Sequence, residues 1–378
     1  MESTELNLRT IALREISLPL REPFRISSGT TSHRRILLIE STDADGIVVW
    51  SECVAGEYPN YGPETVDTAW HAVREWVAPR VLGRSFRGAG EVRAALEENF
   101  RGHNMAKAAV EMGYWALEAS RRDLSLAVVL GGTREQIEVG ISLGMQERPS
   151  DLIDRVSSAV EAGYRRIKLK VAPGRDAKFV EAVREAFGEA LPLSVDANSA
   201  YSLDEPDPLL ALDRMGLMMI EQPLSRDDLR RHALLQSRLE TPICLDESIT
   251  GPEKVEDMLA LGSGRIVNIK AGRVGGLASS LEIHRIAAEN GIPVWCGGML
   301  ESGIGRAYNV ALASLPNFTL PGDTSPSSRY WERDVVTPEW TMAPDGTVRV
   351  PADLPGLGVE VDRDRIEDLT VRSETVAA

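Results

Sequence analysis

Cysteine is scarce in this chain, and its distribution argues against a fold held by disulfides. The 378 residues include only Cys53, Cys244 and Cys296, with no CxxC spacing, so no disulfide framework is indicated. Cys244 and Cys296 lie in apolar segments and are predicted to be small buried side chains. Histidine is also sparse. The five histidines are scattered, and none shares a predicted strand end with the acidic residues described below, which disfavours a zinc site.

Excess positive charge and long apolar runs are missing as well. The net charge of −15 argues against nucleic acid or an anionic membrane surface as a partner. It says little about a small anionic substrate, whose binding depends on local charge. No apolar run reaches the roughly 18 residues of a membrane span. The acidic N-terminus lacks the apolar segment of a signal peptide, so we expect a cytoplasmic protein.

The length of the chain and its early patterns predict a domain in addition to a barrel. A chain of 378 residues with 43% hydrophobic side chains exceeds one ordinary barrel and can supply a sizeable core. We expect residues 1–133 to form an α+β capping domain with a small antiparallel sheet followed by helices. Its predicted strands lie near 11–18, 35–40 and 46–53, and its predicted helices near 65–77, 91–99 and 105–121.

After the capping domain, strand and helix patterns alternate in the manner of an α/β barrel. The alternation begins with a strand predicted at 137–142 and continues to about residue 320, so we assign 134–325 to a (β/α)8 barrel of the TIM type. The remaining segment, 326–378, is expected to return to the capping domain and complete it. Its predicted short strands lie at 330–331, 335–336 and 347–350.

Three acidic residues recur at intervals of 25 positions in the predicted barrel. Asp196, Glu221 and Asp246 each follow a short apolar run, and Lys170 and Lys270 end similar runs before and after them. A period near 25 is about the length of one strand and one helix. Five successive strands, the second to the sixth, therefore each place one polar residue at their carboxyl end, where barrel enzymes build their active sites.

Three neighbouring carboxylates predict a site for a hard cation. With no histidine or cysteine among the ligands, the oxygen donors favour Mg²⁺, and Mn²⁺ can substitute. The two lysines lie on either side of the carboxylates. A carboxylate substrate bound there would hold its α-carbon between two acid/base groups. The cation would stabilise the negative charge that forms when the α-proton leaves.

Lysine is a poor base at its ordinary pKa, so nearby positive charge has to favour its neutral form. Lys168 points to the same face as Lys170, two residues along the strand, and we predict that its charge has this effect. Arg273 is expected to act on Lys270 in the same way. Glu247 follows Asp246 and should point to the other side, so we predict that it supports the metal ligands without binding the metal.

Each of these positions has an ordinary structural explanation when it is taken alone. An aspartate at a strand end is commonly a cap, and a KxK pair is commonly a solvated face, but their occurrence on five consecutive units favours a site.

The sequence does not decide the role of two other motifs. Gly-Arg-Val-Gly-Gly at 272–276 suits a bound phosphate or carboxylate as well as a tight turn. Ser302 lacks the flanking glycine of a nucleophile elbow.

Two loops of the capping domain, 24–30 around Ser27 and 54–61 around Tyr58, contain glycine and polar residues. Surface connections commonly have this composition. A barrel mouth also needs a cover that excludes water, and we predict that these loops supply it.

The segments that carry the strand-end residues resemble the enolase superfamily in its muconate-lactonizing subgroup. Within that subgroup they are similar to the o-succinylbenzoate synthase/N-succinylamino acid racemase family, over nearly the whole chain. The segments are KLKVAPG at 168–174, DANSAY at 196–201, IEQPL at 220–224, LDES at 245–248, NIKAGRVGG at 268–276, WCGGMLESGIG at 295–305 and SLPNFTLPGDT at 314–324.

The resemblance implies a role for each site residue, position by position. It implies that the lysines at 170 and 270 exchange protons with the substrate and that the three carboxylates bind Mg²⁺, with Asn198 nearby. It places Ser142, Gly298 and Met299 around the substrate. We also expect the protein to be a homo-oligomer that acts on a small carboxylate.

The family resemblance implies two reactions from one site. One is dehydration of a cyclohexadiene carboxylate to o-succinylbenzoate, a step in menaquinone synthesis, and the other is racemisation of N-succinylamino acids. Other functions stay open. A dipeptide epimerase of the same subgroup usually has two aspartates near the last strand, whereas only Asp323 is present here. A cycloisomerase and a non-catalytic metal-binding barrel are further alternatives, and the intact lysines disfavour the last.

Overall fold

Two larger sheets, two short two-stranded sheets and the helices around them make up the fold, and the computed structural model describes residues 5–26 and 29–378. The strands are β1 Leu8–Ile26, β2 Gly29–Asp43, β3 Val48–Cys53, β4 Gln136–Glu138, β5 Gly140–Leu143, β6 Arg166–Lys170, β7 Leu193–Asp196, β8 Ile220–Glu221, β9 Ile243–Leu245, β10 Ile266–Ile269, β11 Val294–Cys296, β12 Val336–Thr337, β13 Thr347–Arg349, β14 Glu360–Val361 and β15 Thr370–Ala377. The helices are α1 Val66–Ala72, α2 Ala78–Val81, α3 Val92–Glu97, α4 Asn104–Arg121, α5 Leu126–Leu130, α6 Pro149–Glu161, α7 Ala177–Phe187, α8 Asp207–Leu212, α9 Leu229–Gln236, α10 Pro252–Leu261, α11 Ala271–Val274, α12 Leu277–Glu289, α13 Gly303–Ala313 and α14 Arg363–Leu369.

The first sheet is antiparallel and has the order β15-β1-β2-β3. The strands predicted at 11–18 and 35–40 fall within β1 and β2, and the strand predicted at 46–53 forms as β3, which begins two residues later. The turn between β2 and β3 forms because the Asp43 carboxylate accepts hydrogen bonds from the backbone N–H groups of Asp45 and Ile47. Gly46 supplies the left-handed conformation that this turn requires, at φ +84°.

The central helix α4 joins the first sheet to the rest of the molecule. It packs against β3 on one side and α11 on the other, and it is buried over most of its length, including the ionisable side chains Lys107 and Glu111. A helix that is apolar almost all round is expected in the middle of a core. The predicted helix at 105–121 therefore forms, one residue longer at its start.

The second sheet is parallel, and its strands β5 to β11 are neighbours in chain order. It is curled, and no eighth strand closes it within the described residues. In place of that strand, an irregular segment lies between the two edges. At one edge Gly140 N–H donates to Gly322 O (2.7 Å), and at the other Asp323 N–H donates to Cys296 O (2.8 Å). The expected closed (β/α)8 barrel is thus observed as seven strands and this segment.

The predicted strand at 137–142 is two separate strands. β4 pairs antiparallel with β13, whereas β5 pairs parallel with β6 as the first strand of the curled sheet. The division falls at Gly140, where a Cβ atom would lie 2.8 Å from Nε of Arg166. The close approach of this buried arginine requires glycine, and the alternating apolar pattern across residue 139 concealed the change of partner.

The C-terminal segment returns to the first sheet by a route that the sequence patterns did not indicate. Residues 330–331 form no strand, β12 at 336–337 pairs with β14, and β13 pairs with β4. The strand that joins the first sheet is β15, antiparallel to β1. β15 alternates half-buried and exposed residues and carries charged side chains, so it lacks an apolar signal. It is held by backbone pairing at the sheet edge.

Buried carboxylates dock the first sheet and α4 onto the rest of the fold. Glu111 of α4 accepts hydrogen bonds from the backbone N–H groups of Leu277 (2.8 Å) and Ala278 (2.9 Å) at the start of α12. Burial raises the pKa of Glu111 to about 7. The N–H groups that hold this carboxylate therefore follow directly after the glycine-rich motif at 272–276, and the carboxylate is the protein's own. Gly276, at φ +122°, leaves room for it, because a Cβ there would lie 2.4 Å from Oε2 of Glu111.

Substitution of Gly276 by alanine should disrupt this docking. Gly276→Ala combines a backbone conformation that only glycine adopts readily with displacement of the buried carboxylate. Gly102→Ala is a matched control, since Gly102 also has positive φ (+69°) but has open space at its Cβ. We expect the free energy of unfolding to fall by at least about 2 kcal/mol more in Gly276→Ala than in the control. Equal losses in urea denaturation would contradict the docking role.

Candidate active site

The strand-end residues predicted from the sequence lie side by side in the curled sheet. Lys170 of β6 is in register with Asp196 of β7, and Asp196 is in register with Glu221 of β8. Asp246 directly follows β9, and Lys270 directly follows β10. The three carboxylates are at most 1% exposed and Lys270 is 7% exposed. These groups therefore form one buried, charged row at the carboxyl ends of the strands.

Lys170 is held at one end of the row by groups of the same sheet. Its ammonium nitrogen lies 2.6 Å from Oδ2 of Asp196 and 2.7 Å from Oδ1 of Asn198. The other end of the Asn198 amide donates to Oε1 of Glu247 (3.0 Å). Asn198 thus bridges the lysine to Glu247. Glu247 was expected to point away from the carboxylates, but it turns toward the row, because its carboxylate accepts the Asn198 amide. Burial and the nearby charge of Asp196 raise the pKa of Glu247 to about 7.

Lys270 is held at the other end of the row and has a partner from the N-terminal part of the chain. Its ammonium nitrogen lies 2.8 Å from Oδ2 of Asp246 and 3.2 Å from the hydroxyl of Tyr61. Arg273 donates to Oδ1 of Asp246 and, at 3.0 Å, to the same Tyr61 hydroxyl. Arg273 therefore lies close to Lys270, but the expected lowering of the Lys270 pKa is not observed, because the surrounding carboxylates raise that pKa. Tyr61 was predicted only as part of a covering loop. Burial raises its pKa, so the hydroxyl is neutral.

Lys168 points into the same face as Lys170, but carboxylates surround it. Its ammonium nitrogen lies 2.7 Å from Oδ2 of Asp323 and 3.0 Å from Oε2 of Glu221. Arg166 donates to the other oxygen of Asp323 (2.7 Å), and both cations lie over the ring of Trp295. Sequence reasoning missed Arg166 as part of this network. Its position two residues before Lys168 on the same strand face was the available signal.

The electrostatics of the row follow from the mutual burial of lysines and carboxylates. Burial alone would raise the pKa of Asp196, but the ammonium groups of Lys170 and Lys168 lower it below its ordinary value. Burial alone would lower the pKa of Lys270, but the negative charge of the nearby carboxylates, Glu221 foremost, raises it. A divalent cation on the carboxylates would neutralise the charge that stabilises the ammonium form. The basicity of the lysines thus depends on that cation.

The donor set fits a hard divalent cation. Within the described residues no three acidic, histidine or cysteine side chains converge on one point, since each carboxylate is turned toward a basic group. The oxygens are nevertheless adjacent, and the row contains no sulfur or imidazole that would select another metal. Oε2 of Glu247 and Oδ1 of Asn268 are buried without a hydrogen-bond partner among these residues. Unsatisfied buried oxygens beside carboxylates are consistent with a cation site.

A cavity of about 630 Å³ opens above the row. Lys170, Asn198, Lys270, Gly298 and Met299 line its floor and wall, together with residues of the loop at 54–61. Most of the expected loop at 24–30 is strand: Phe24 lies in β1 and Thr30 in β2, and both line the cavity. Ser27 lies outside the described residues.

Ser142, also predicted to contact substrate, does not line this cavity. It is buried in register with Lys168, and its hydroxyl has no partner in the described part of the chain.

The loops that follow the strands adopt unusual backbone conformations at the site. Asn198, Ser199, Gln222 and Leu300 are non-glycine residues with positive φ. Gln222 was missed as a site residue: its Oε1 accepts hydrogen bonds from the backbone N–H groups of Asp246 (3.0 Å) and Ser248 (3.2 Å). Strained backbone at the mouth of a site indicates that function, and not local stability, determines its shape.

Two lysines on either side of a buried acidic row, at the carboxyl ends of a curled parallel sheet, define the class as an acid/base enzyme with an α/β fold. Residues 8–131 match the mandelate racemase/muconate lactonizing enzyme N-terminal domain, and 151–365 match the enolase C-terminal domain-like family. The chain therefore belongs to the mandelate racemase/muconate lactonizing enzyme family of the enolase superfamily.

Named relatives cover almost the full chain. The o-succinylbenzoate synthase of Geobacillus kaustophilus is 48% identical over 97% of this chain and 96% of its own length. The N-succinylamino acid racemase of an Amycolatopsis species is 44% identical over 97% and 98%. The crystal structure of an enolase superfamily member from Listeria innocua superposes with a TM-score of 0.94, at 40% identity and 98% and 99% coverage. The predicted family is confirmed.

Enzymes of this type use a divalent metal ion. Separately, no helix in residues 5–26 and 29–378 is long and apolar enough to cross a membrane.

Removal of the metal should inactivate the protein, and replacement of one ligand should remove its response to metal. Because a ligand that binds only the folded state stabilises it, MgCl₂ should raise the Tm of the wild type and leave that of Glu221→Gln unchanged. EDTA should abolish turnover, with Mg²⁺ or Mn²⁺ restoring it. Glu256→Gln, on the exposed face of α10, should respond as the wild type does. Full activity after exhaustive chelation would refute the metal site.

Replacement of Lys168 should alter the pH dependence of catalysis as well as stability. Lys168→Met removes a cation near Lys170, so the acidic limb of the kcat/KM profile should move to higher pH. It also leaves the buried carboxylates of Asp323 and Glu221 with less positive charge, so Tm should fall. A fall in Tm with an unchanged acidic limb would show that Lys168 is a structural counterion only.

Proposed function

We propose that this protein removes the α-proton of a small carboxylate substrate with Lys170 and Lys270. The reaction is dehydration of 2-succinyl-6-hydroxy-2,4-cyclohexadiene-1-carboxylate to o-succinylbenzoate, racemisation of N-succinylamino acids, or both from one site. The observation that supports this most directly is the placement of a half-buried Lys170 and a buried Lys270 at opposite ends of the acidic row, beneath a cavity large enough for such a substrate. Relatives that carry both names support the two reactions.

In racemisation each lysine serves one face of the substrate. The neutral amine of one lysine accepts the α-proton, and the ammonium of the other returns a proton to the opposite face, so the configuration inverts. In dehydration Lys170 removes the α-proton, and the same proton then leaves with the hydroxyl group as water. Lys270 remains a cation beside the developing negative charge. Asn198 orients Lys170, and Asp246 orients Lys270.

We propose Mg²⁺ as the metal, with Mn²⁺ as a substitute, held by Asp196, Glu221 and Asp246. When bound, it supplies positive charge that stabilises the deprotonated substrate.

Dehydration would place the protein in menaquinone synthesis, in the cytoplasm. We further propose the domain boundaries 1–133, 134–325 and 326–378, and a homo-oligomer. The pairing of β15 with β1 supports the return of the last segment to the capping domain.

The alternative of dipeptide epimerisation is less well supported by the contacts of Asp323. An epimerase of this subgroup would use aspartates near the last strand to bind the substrate ammonium. Here both carboxylate oxygens of Asp323 are taken by cations, Arg166 at 2.7 Å and Lys168 at 2.7 Å. Replacing those bonds with a substrate ammonium would leave the buried Arg166 without its counterion and would remove one of the carboxylates that neutralise Lys168. A cycloisomerase stays possible in principle because it uses the same lysines.

Isotope exchange with each separate enantiomer of an N-succinylamino acid tests the role of each lysine. Lys170→Ala should abolish dehydration and racemisation. Lys270→Ala should abolish racemisation but still exchange the α-proton of the enantiomer that faces Lys170 with D₂O, as followed by NMR. Lys270→Arg keeps the charge but is a very poor base, so it should harm racemisation more than dehydration.

If Lys270→Ala exchanges both enantiomers equally, the lysines do not face opposite sides of the substrate. If the wild type with Mg²⁺ exchanges no α-proton from a panel of substrates, the non-catalytic metal-binding alternative is favoured.

A further inference from the structure

Tyr61 is the residue through which the loop at 54–61 reaches the acidic row. A phenol hydroxyl can donate one hydrogen bond and accept two, and Tyr61 uses all three. It donates to Oδ1 of Asp246 (3.0 Å) and accepts from Lys270 (3.2 Å) and Arg273 (3.0 Å). The ammonium nitrogen of Lys270 also lies 4.5 Å from the centre of the Tyr61 ring. Both the ring and the hydroxyl therefore hold this lysine.

The base of the loop is attached firmly to both parts of the molecule. Arg34 of β2 donates to Val54 O (2.7 Å) and Ala55 O (2.8 Å), and Gly56 O accepts from the backbone N–H at the start of α1. On the barrel side, Val54 packs so tightly on Gly272 that a Cβ there would lie 2.3 Å from Cγ2 of Val54. The position of Tyr61 is thus determined by how the loop sits on the barrel.

The two lysines differ in whether they form a hydrogen bond with the covering loop at 54–61. The hydrogen-bond partners of Lys170, Asp196 and Asn198, both come from the end of the neighbouring strand. Lys270 has a partner from the same sheet, Asp246, and a second one from the covering loop. In the described part of the chain, Lys270 therefore has a side-chain hydrogen bond to the covering loop, whereas the side-chain hydrogen bonds of Lys170 stay within the sheet.

We propose that Tyr61 is a positioning residue that orients Lys270 when the loop lies over the cavity, so that proton transfer on the Lys270 face depends on this loop. The proposal rests on the proposed function, because it concerns the second of the two proton-transfer faces. Racemisation needs both faces and therefore needs Tyr61. Proton removal by Lys170, and with it dehydration, depends on Tyr61 much less.

A simpler reading is that Tyr61 only fills space. It lines both the active-site cavity and a second cavity of about 330 Å³. A space-filling ring would be replaced well by phenylalanine, which keeps the ring and its contact with the Lys270 ammonium. Tyr61→Phe removes only the hydroxyl and so separates the two readings.

The test is α-proton exchange in D₂O for each enantiomer of an N-succinylamino acid, with the Mg²⁺-loaded enzyme. The enantiomer that faces Lys270 is identified as the one whose exchange survives in Lys170→Ala. Tyr61→Phe should slow exchange of that enantiomer by about 10- to 100-fold, as expected for a displaced proton-transfer group. It should change exchange of the other enantiomer, and dehydration, by no more than about twofold. Equal effects on both enantiomers, or no effect on either, overturn the proposal.

Tyr308→Phe is the matched control. Tyr308 is also buried, and its hydroxyl also joins the two parts of the fold, by donating to Trp50 O of β3 at 2.7 Å, but it contacts neither lysine. Its replacement should lower Tm by a similar amount and leave the ratio of the two exchange rates unchanged. A changed ratio in this control would show that loss of any bond between the parts produces the asymmetry, and would refute a specific role for Tyr61.

A second measurement needs no catalysis. The chain has only six lysines, so the ¹³Cε resonances of labelled lysine can be assigned by single Lys→Arg variants. Tyr61→Phe should shift the Lys270 resonance and leave the Lys170 resonance in place. An unmoved Lys270 resonance overturns the proposal even if no substrate is turned over. The wild type could exchange neither enantiomer while Tyr61→Phe still shifts the Lys270 resonance. That result would refute the proposed function and would confirm the contact between Tyr61 and Lys270.

Discussion

Buried negative charge at neighbouring strand ends is the constraint on which the rest of the site depends. Asp196, Glu221 and Asp246 are almost inaccessible to solvent, and carboxylates cannot remain ionised side by side in such surroundings without positive charge. Lys168, Lys170 and Lys270 supply that charge within the protein. A divalent cation on the same oxygens would compete with these lysines for the carboxylates. Metal binding and the release of the lysines for proton transfer are therefore coupled.

The same chemistry holds the N-terminal part of the chain on the barrel. Glu111 accepts hydrogen bonds from the first turn of α12, and Glu52 of β3 accepts them from Ser302 and Gly305 at the start of α13. Burial raises the pKa of Glu52 to about 8. Carboxylates at helix N-termini satisfy backbone N–H groups that would otherwise lack partners. Ser302, with no role as a nucleophile in evidence, caps α13 and donates to Glu52.

The residues of the row could be predicted because strand-end position follows from local periodicity alone. An apolar run of fixed spacing identifies a parallel strand, and the residue after it lies at the carboxyl edge whatever its partners are. Residues whose role depends on contacts between distant segments could not be found in this way. Tyr61, Arg166 and the Asp323 contacts with two cations join segments more than a hundred residues apart. No local pattern specifies such contacts.

The sequence by itself determined the family, through the likeness of several short segments, and the five charged positions, because a strand-end position follows from the local spacing of apolar residues. Only the tertiary structure decided which carboxylate each lysine contacts and why 272–276 is rich in glycine. It also decided where the C-terminal segment joins the first sheet. Gly276 is required by a carboxylate that belongs to α4, and β15 is placed by backbone pairing with β1. Backbone pairing at a sheet edge leaves no hydrophobic signature, and a close approach between segments is defined only once both have folded.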